Sequence, residues 1–258
     1  MSPDGSTLKR LLSTLLLVVG LSLCHADEIP GTIHGIVKFS GEAPPRNMFA
    51  NPSDHDCPHG IAQTHLLVKQ DSLMLQNVLI VLEREDRRVM PTRLSATLSS
   101  EGCQLLPRVQ WLPLGTSLLL VNKDGARHHL HAWKDGNSLF EADLPPDGPP
   151  LRRPLVIPGL YRINCDRHLW ERAWIFVSPH DSVAITDAQG EFTMKHVPAG
   201  RYRIHAWHEG WVEKANDRDG RLEFQPMQEI RDVKVMENEA SEVLFDDLTP
   251  AFAVSSPD

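Results

Sequence analysis

The sequence predicts an all-β protein, and three observations carry that prediction. No stretch longer than about three turns shows the apolar i, i+3, i+4, i+7 stripe of an amphipathic helix. Short apolar segments bounded by Pro, Gly, Asn and Asp recur instead, at residues 32–39, 77–82, 117–121, 160–164, 173–177, 191–194 and 201–207. Such spacing is that of a sandwich or barrel. In the last segment Tyr202, Ile204 and Ala206 alternate with Arg201, Arg203 and His205, as a half-buried strand requires.

The composition sets outer bounds. With 41% hydrophobic and 23% charged residues, the chain is globular rather than disordered or collagen-like. Its 258 residues allow one large domain or two small ones. A net charge of −8 argues against a general nucleic-acid binder, which needs a basic face.

The elements follow in chain order. Lys9 and Arg10 precede an apolar run from Leu11 to Leu23, and Ala26 offers a small residue before Asp27. This is the pattern of an export signal, residues 1–26; a membrane span needs about 20 apolar residues. Acylation of Cys24 is a weaker alternative, because Leu23 stands where a small residue is wanted. Cleavage after Ala26 leaves 24 basic and 33 acidic residues, a net charge of −9, and three cysteines. The expected location is the periplasm, with no membrane span once the signal is removed.

An odd number of cysteines in an oxidising compartment needs an explanation. One economical solution pairs Cys57 with Cys103 and holds Cys165 apart; a bond from Cys165 to either of the others is the alternative. His55, His59 and His65 surround Cys57, as a weak second metal site or as a solvated loop. Residues 144–154 are dense in proline and read as a surface loop, since proline cannot pair in a central strand. The segment 186–190 should turn between two antiparallel strands, with Gly190 at positive φ, and 197–200 should make a second tight turn. The tail from residue 249 to 258 should fray.

Two segments carry chemistry. Asn122-x-Asp124-x3-His128 follows an apolar strand, and Cys165-x2-His168-x2-Glu171 follows another. One histidine from a distant strand, with a cysteine and a histidine on one loop, is the ligand set of a mononuclear copper site. Zinc is the competitor, because two histidines, a cysteine and a carboxylate also make a tetrahedral zinc site. Each residue alone has a plainer reading: Cys165 as a buried thiol or disulfide partner, His128 as a strand-end histidine. His129 and His131 are out of phase with His128 and should face the other side of the strand.

These motifs, with the Pro158-Gly159 turn, Gly102-Cys103, Thr186-Asp187-x2-Gly190-x-Phe192 and Val197-Pro198-Ala199-Gly200-x-Tyr202, resemble bacterial exported cupredoxin-like proteins. Such proteins are often labelled methylamine utilisation protein or carboxypeptidase regulatory-like protein. The resemblance implies a Greek-key cupredoxin-like β-sandwich plus a transthyretin-like, carboxypeptidase regulatory-like β-sandwich. It makes His128, Cys165 and His168 the equatorial ligands of one copper ion. Asn122, Asp124 and His129 are candidates to steady those ligands from behind.

There are two departures from the family pattern. Glu171 stands where the pattern has an axial methionine, so it either coordinates, points to solvent or marks a site that has lost electron transfer. His129 stands where asparagine is usual, which leaves open a swap of ligand with His128. A metal role for His205 and His208 is disfavoured by strand alternation, and Trp207 should pack against the neighbouring domain.

The expected domains are 27–96, an N-terminal β segment that either completes the last sandwich or belongs to the copper domain; 97–180, the copper domain; and 181–248, the regulatory-like domain. No nucleophile elbow, phosphate loop or paired-carboxylate motif occurs, and no enzyme activity is expected. Three functions remain: a periplasmic one-electron carrier docking to a redox partner protein, a copper-binding or delivery protein without redox role, and a structural module with a degenerate site.

Overall fold

The computed structural model describes residues 29–40, 48–49, 57, 61–62, 67–69, 72–84, 94–210, 212–215, 222–224 and 226–250. The expected signal segment, His55, His59, His65 and residues 251–258 lie outside them. Among the described residues there is no helix, hence none long and apolar enough to cross a membrane. The protein is all-β, as the absence of helical periodicity predicts.

The principal strands fall into two pairs of sheets. In the first pair, Gly31–Val37 lies between Glu191–Val197 and Ala240–Phe245, antiparallel to the former and parallel to the latter. The facing sheet runs Val183–Ile185, Leu79–Leu82, Gly200–His208, Met227–Val235 and Thr249–Pro250. Ile33, Val37, Phe192 and Phe245 from one sheet meet Ile80, Leu82, Ile204 and Ala206 from the other in one apolar cluster. We call this the outer sandwich. The chain leaves it after Leu82 and re-enters at Val183, and the Leu82 N–H donates to the Ser182 carbonyl at 2.9 Å where the two ends meet.

The chain between these points forms a second β-sandwich. Its four-stranded sheet runs Leu151–Pro154, Ser117–Asn122, Ser95–Ser100 and Leu105–Leu106. Its five-stranded sheet runs Asn137–Leu144, His128–Lys134, Gly159–Cys165, Arg172–Ser178 and Val109–Pro113. Leu98, Leu118 and Leu120 pack across the gap onto Leu130, Ile163, Ile175 and Val177, all buried. Each such side chain contributes about 1.5–3 kcal/mol when taken from water. That inward alternation sets the register, since a slip by one residue would turn every leucine outward.

Two local expectations are corrected. Residues 151–154, read as part of a loop, form an edge strand paired with Ser117–Asn122; Pro154 is tolerated because its missing N–H falls at the strand's end on a sheet edge. The segment 186–190 does turn, with Gly190 at φ 72° and its N–H donating to the Asp187 carbonyl at 3.0 Å. However, the strands that it joins lie in opposite sheets, so the turn crosses the sandwich rather than closing a hairpin.

A buried polar and aromatic joint links the sandwiches. Arg108 and Glu209 are both buried and ion-paired at 2.6 Å, and Arg108 Nη1 donates to the Arg172 carbonyl at 3.0 Å. The Trp174 indole N–H donates to Glu209 Oε2 at 2.8 Å. Trp174 and Trp207 meet edge to face at 4.9 Å, which gives Trp207 the packing role that the sequence suggested.

Candidate metal centre

One end of the middle sandwich is polar inside. His128 opens its strand, and Cys165 closes the strand Gly159–Cys165. Pairing of Leu130 with Cys165 brings the two strand ends together. The loop after Cys165 folds back on itself: the Glu171 N–H donates to the His168 carbonyl at 2.9 Å and the Cys165 N–H to the Glu171 carbonyl at 3.2 Å. This turn carries His168 and Glu171 over the thiol.

His128 and His168 are 0% exposed, and Cys165 and Glu171 are 1% exposed. Their ligand atoms all lie within 4.8 Å of one another. The two histidine Nδ1 atoms are 3.0 Å apart. Cys165 Sγ lies 3.5 Å from His168 Nδ1 and 3.9 Å from His128 Nδ1. The Glu171 carboxylate lies 3.0 Å from His128 Nδ1 and 3.3 Å from His168 Nδ1. Metal–ligand bonds of about 2.0–2.3 Å separate neighbouring ligand atoms by roughly 3–4 Å, so these donors fit a copper or zinc ion without rearrangement of the backbone.

The outward nitrogens explain why both rings present Nδ1. His128 Nε2 lies 3.2 Å from Asp124 Oδ2, and His168 Nε2 lies 3.4 Å from Cys57 Sγ. Both Nε2 atoms face groups outside the cluster, which leaves the Nδ1 of each ring on the side where a cation would sit. Asp124 is itself fixed, accepting the Gly102 N–H at 2.6 Å and the Cys103 N–H at 3.0 Å. Asn122 holds that loop: its Nδ2 donates to the carbonyls of Ala126 and Leu144, and its Oδ1 accepts the Asp124 N–H.

Electrostatics follow from packing four titratable groups together. Burial pushes the His128 imidazole down, but Cys165 and Glu171 beside it outweigh burial and hold it up, at about 9. Burial pushes the Cys165 thiol up, and contacts from His128 and His168 with a backbone hydrogen bond from His129 bring it below its ordinary value. Burial likewise raises Glu171, while the two histidines draw it net downward. Without a metal, the cluster is held by an imidazolium set between an anionic carboxylate and a thiol primed to ionise.

Six of the residues singled out from sequence therefore come together: Asn122, Asp124, His128, Cys165, His168 and Glu171. His129 does not join them through its ring. Strand alternation turns that ring out to Glu141 at 3.2 Å. Only its backbone serves the site, its carbonyl accepting the Asp166 N–H at 2.8 Å. The His129 ring thus points away from the cluster, and Glu171 is buried within it and not turned to solvent. His131 also faces away, toward Ser138 and the Trp133 ring.

The Cys57–Cys103 disulfide is formed and Cys165 is free. In the outer sandwich His205 pairs with Glu83 at 2.6 Å, while buried His208 accepts the Gly210 N–H. Strand alternation parts the two, and neither belongs to the clusters of potential ligands found among the described residues.

Sequence reasoning missed the wall around the centre. Cys57 lies 111 positions from His168, Ser100 donates to Glu171 Oε2 across 71 positions, and the Trp170 indole donates to the Cys103 carbonyl across 67. No local pattern marks contacts at such separations.

Fold and geometry define a two-sheet β-sandwich with a buried two-histidine, cysteine and carboxylate cluster at one end. Among solved structures the chain is similar to a purple cupredoxin from Nitrosopumilus maritimus, at 21% identity and TM-score 0.29, covering 32% of this chain and 99% of that one. It is similar to a copper-containing nitrite reductase from Thermus scotoductus, at 21% identity and TM-score 0.30, covering 38% of this chain but only 25% of that one. Pseudoazurin from Methylobacterium extorquens is similar at 17% identity and TM-score 0.28, covering 34% and 79%. No family model and no curated protein sequence matches the chain.

Proposed function

We propose that the chain is a mononuclear copper protein that carries one electron at a time. The supporting observation is the buried convergence of His128 Nδ1, His168 Nδ1, the Cys165 thiol and the Glu171 carboxylate. Bound copper would supply a Cu(I)/Cu(II) couple, for which a thiolate with two imidazoles is a suitable ligand set. The protein's part is to hold these donors on strand ends that hardly move and to keep water out. Four protein donors leave no open position for a substrate, which favours carriage over catalysis. In this reading the protein works in the periplasm, and its negative charge favours a partner with a basic docking patch.

Glu171 favours a second reading, copper binding or delivery without a redox role. A hard carboxylate facing the ion prefers Cu(II) over Cu(I), and His168 is walled off by the disulfide.

The test is Cu(II) titration of residues 27–258, read by absorption and EPR beside Cys165→Ser. An intense thiolate-to-copper band, lost in the control, is expected; its position reports whether Glu171 coordinates. A reversible voltammetric wave supports the carrier, and an irreversible one supports delivery. A protein that stays colourless with Cu(II) overturns the copper–thiolate centre.

A further inference from the structure

The Cys57–Cys103 disulfide lies against the outward side of the same histidines whose inward nitrogens face the centre. Cys57 Sγ touches His168 Nε2 at 3.4 Å. Cys103, Asp124, His128 and Glu171 have ligand atoms within 4.8 Å of one another, a second cluster that shares two members with the first but not Cys165. His128 Nε2 is turned toward this side, 3.2 Å from Asp124 and without a well-aligned hydrogen bond, on a side chain that is 0% exposed.

We propose that reduction of this disulfide creates a second metal position for Cu(I), built from the Cys103 thiolate and His128 Nε2 with Asp124 beside them. As a disulfide, Cys103 has no thiolate to offer. As a thiol it becomes the soft donor that selects Cu(I). The reductant is an external dithiol: it gives up two electrons and two protons and becomes a disulfide, while Cys57 and Cys103 become two thiols. Cu(I) uptake then replaces one proton on Cys103 and transfers no electron.

The two positions exclude each other. A neutral imidazole binds one metal through one nitrogen, so an ion on His128 Nε2 leaves the ring unable to serve the centre through Nδ1. Reoxidation of the cysteine pair withdraws the outer thiolate and frees His128 for the inner set. The disulfide thus acts as a redox-controlled handover point for Cu(I). The outer position does not depend on the carrier reading, because Cys165 is not one of its ligands; the handover rests on that reading.

The test uses the mature protein with Cys165→Ser, in which the inner thiolate is absent. Cu(I) affinity is measured anaerobically by competition with a chromogenic chelator, before and after reduction by a phosphine that is then removed. Reduction should tighten binding about tenfold or more and add a near-ultraviolet thiolate-to-metal band. Adding Cys57→Ser, which frees Cys103 without reductant, should reproduce both effects. Adding Cys103→Ser instead should abolish them. Equal affinity in the oxidised and reduced Cys165→Ser protein overturns the proposal, a result that needs no change at either disulfide position. Tight binding that survives Cys103→Ser also overturns it, by assigning the metal to Cys57 alone.

Discussion

The two sandwiches are built alike and filled differently. Both close an apolar gap with leucine, isoleucine and valine. The outer one keeps its histidine–carboxylate pair, His205 with Glu83, partly in water, with the Glu83 side chain 47% exposed. The middle one puts the same pair of residue types, His128 with Glu171, at 0% side-chain exposure and adds a second histidine and a thiol. Taking charged groups out of water costs several kcal/mol unless they are paired. A fold tolerates that cost at one end of a core when something beyond stability depends on it, and the proposed ion site would be such a reason.

The sharpest test of this contrast is to remove one partner from each pair. Glu171→Ala in the metal-free protein leaves a buried imidazolium without its carboxylate and should cost about 3–5 kcal/mol. Glu83→Ala should cost about 0–1 kcal/mol, as exposed pairs do. Chemical denaturation measures both, and equal losses would break the comparison.

Next in size are the cores themselves. Leu118→Ala in the middle sandwich and Ile33→Ala in the outer one should each cost about 2–5 kcal/mol, since both side chains are fully buried. A much smaller loss in one sandwich would mean that its core collapses around the cavity.

A third prediction uses pH. His128 is raised from 6.5 to about 9, so the stability that it contributes is complete below pH 6.5 and disappears as pH rises through about 9. Glu171 is lowered from 4.5, so its contribution is present above 4.5 and lost as pH falls below it. Thermal unfolding of the metal-free protein should therefore weaken at both ends.

The smallest effect concerns loading. Metal must displace the His128 proton, so Cu(II) affinity should rise by about tenfold per pH unit below about 9 for that proton alone. A pH-stat should record its release; no release at pH 7 would mean that the imidazole was already neutral.

Much of this was legible in the sequence. The alternation at residues 201–207 carries into the strand Gly200–His208, and the Cys165-x2-His168-x2-Glu171 spacing is short enough for one turn to gather all three side chains. The sequence could not choose among the orientations of Glu171, because whether a carboxylate turns inward depends on histidines brought in from another strand. Strand alternation did place the His129 ring on the far side, but not the use of its backbone, because a main-chain contact leaves no mark in residue type. The proline-dense segment misled because edge position, which decides whether Pro154 is tolerated, is a property of the whole sheet.

The hydrogen bond between Leu82 and Ser182 has a consequence for how the molecule can be taken apart. The middle sandwich leaves and returns through neighbouring points of its host, so in topological terms it is a cassette, and a short bridge should rejoin the host after its excision. Cys57 belongs to the host part of the chain and Cys103 to the cassette. The disulfide is therefore a latch independent of the chain path, and a protease cut between residues 82 and 95 would leave the cassette attached both at Val183 and through that latch.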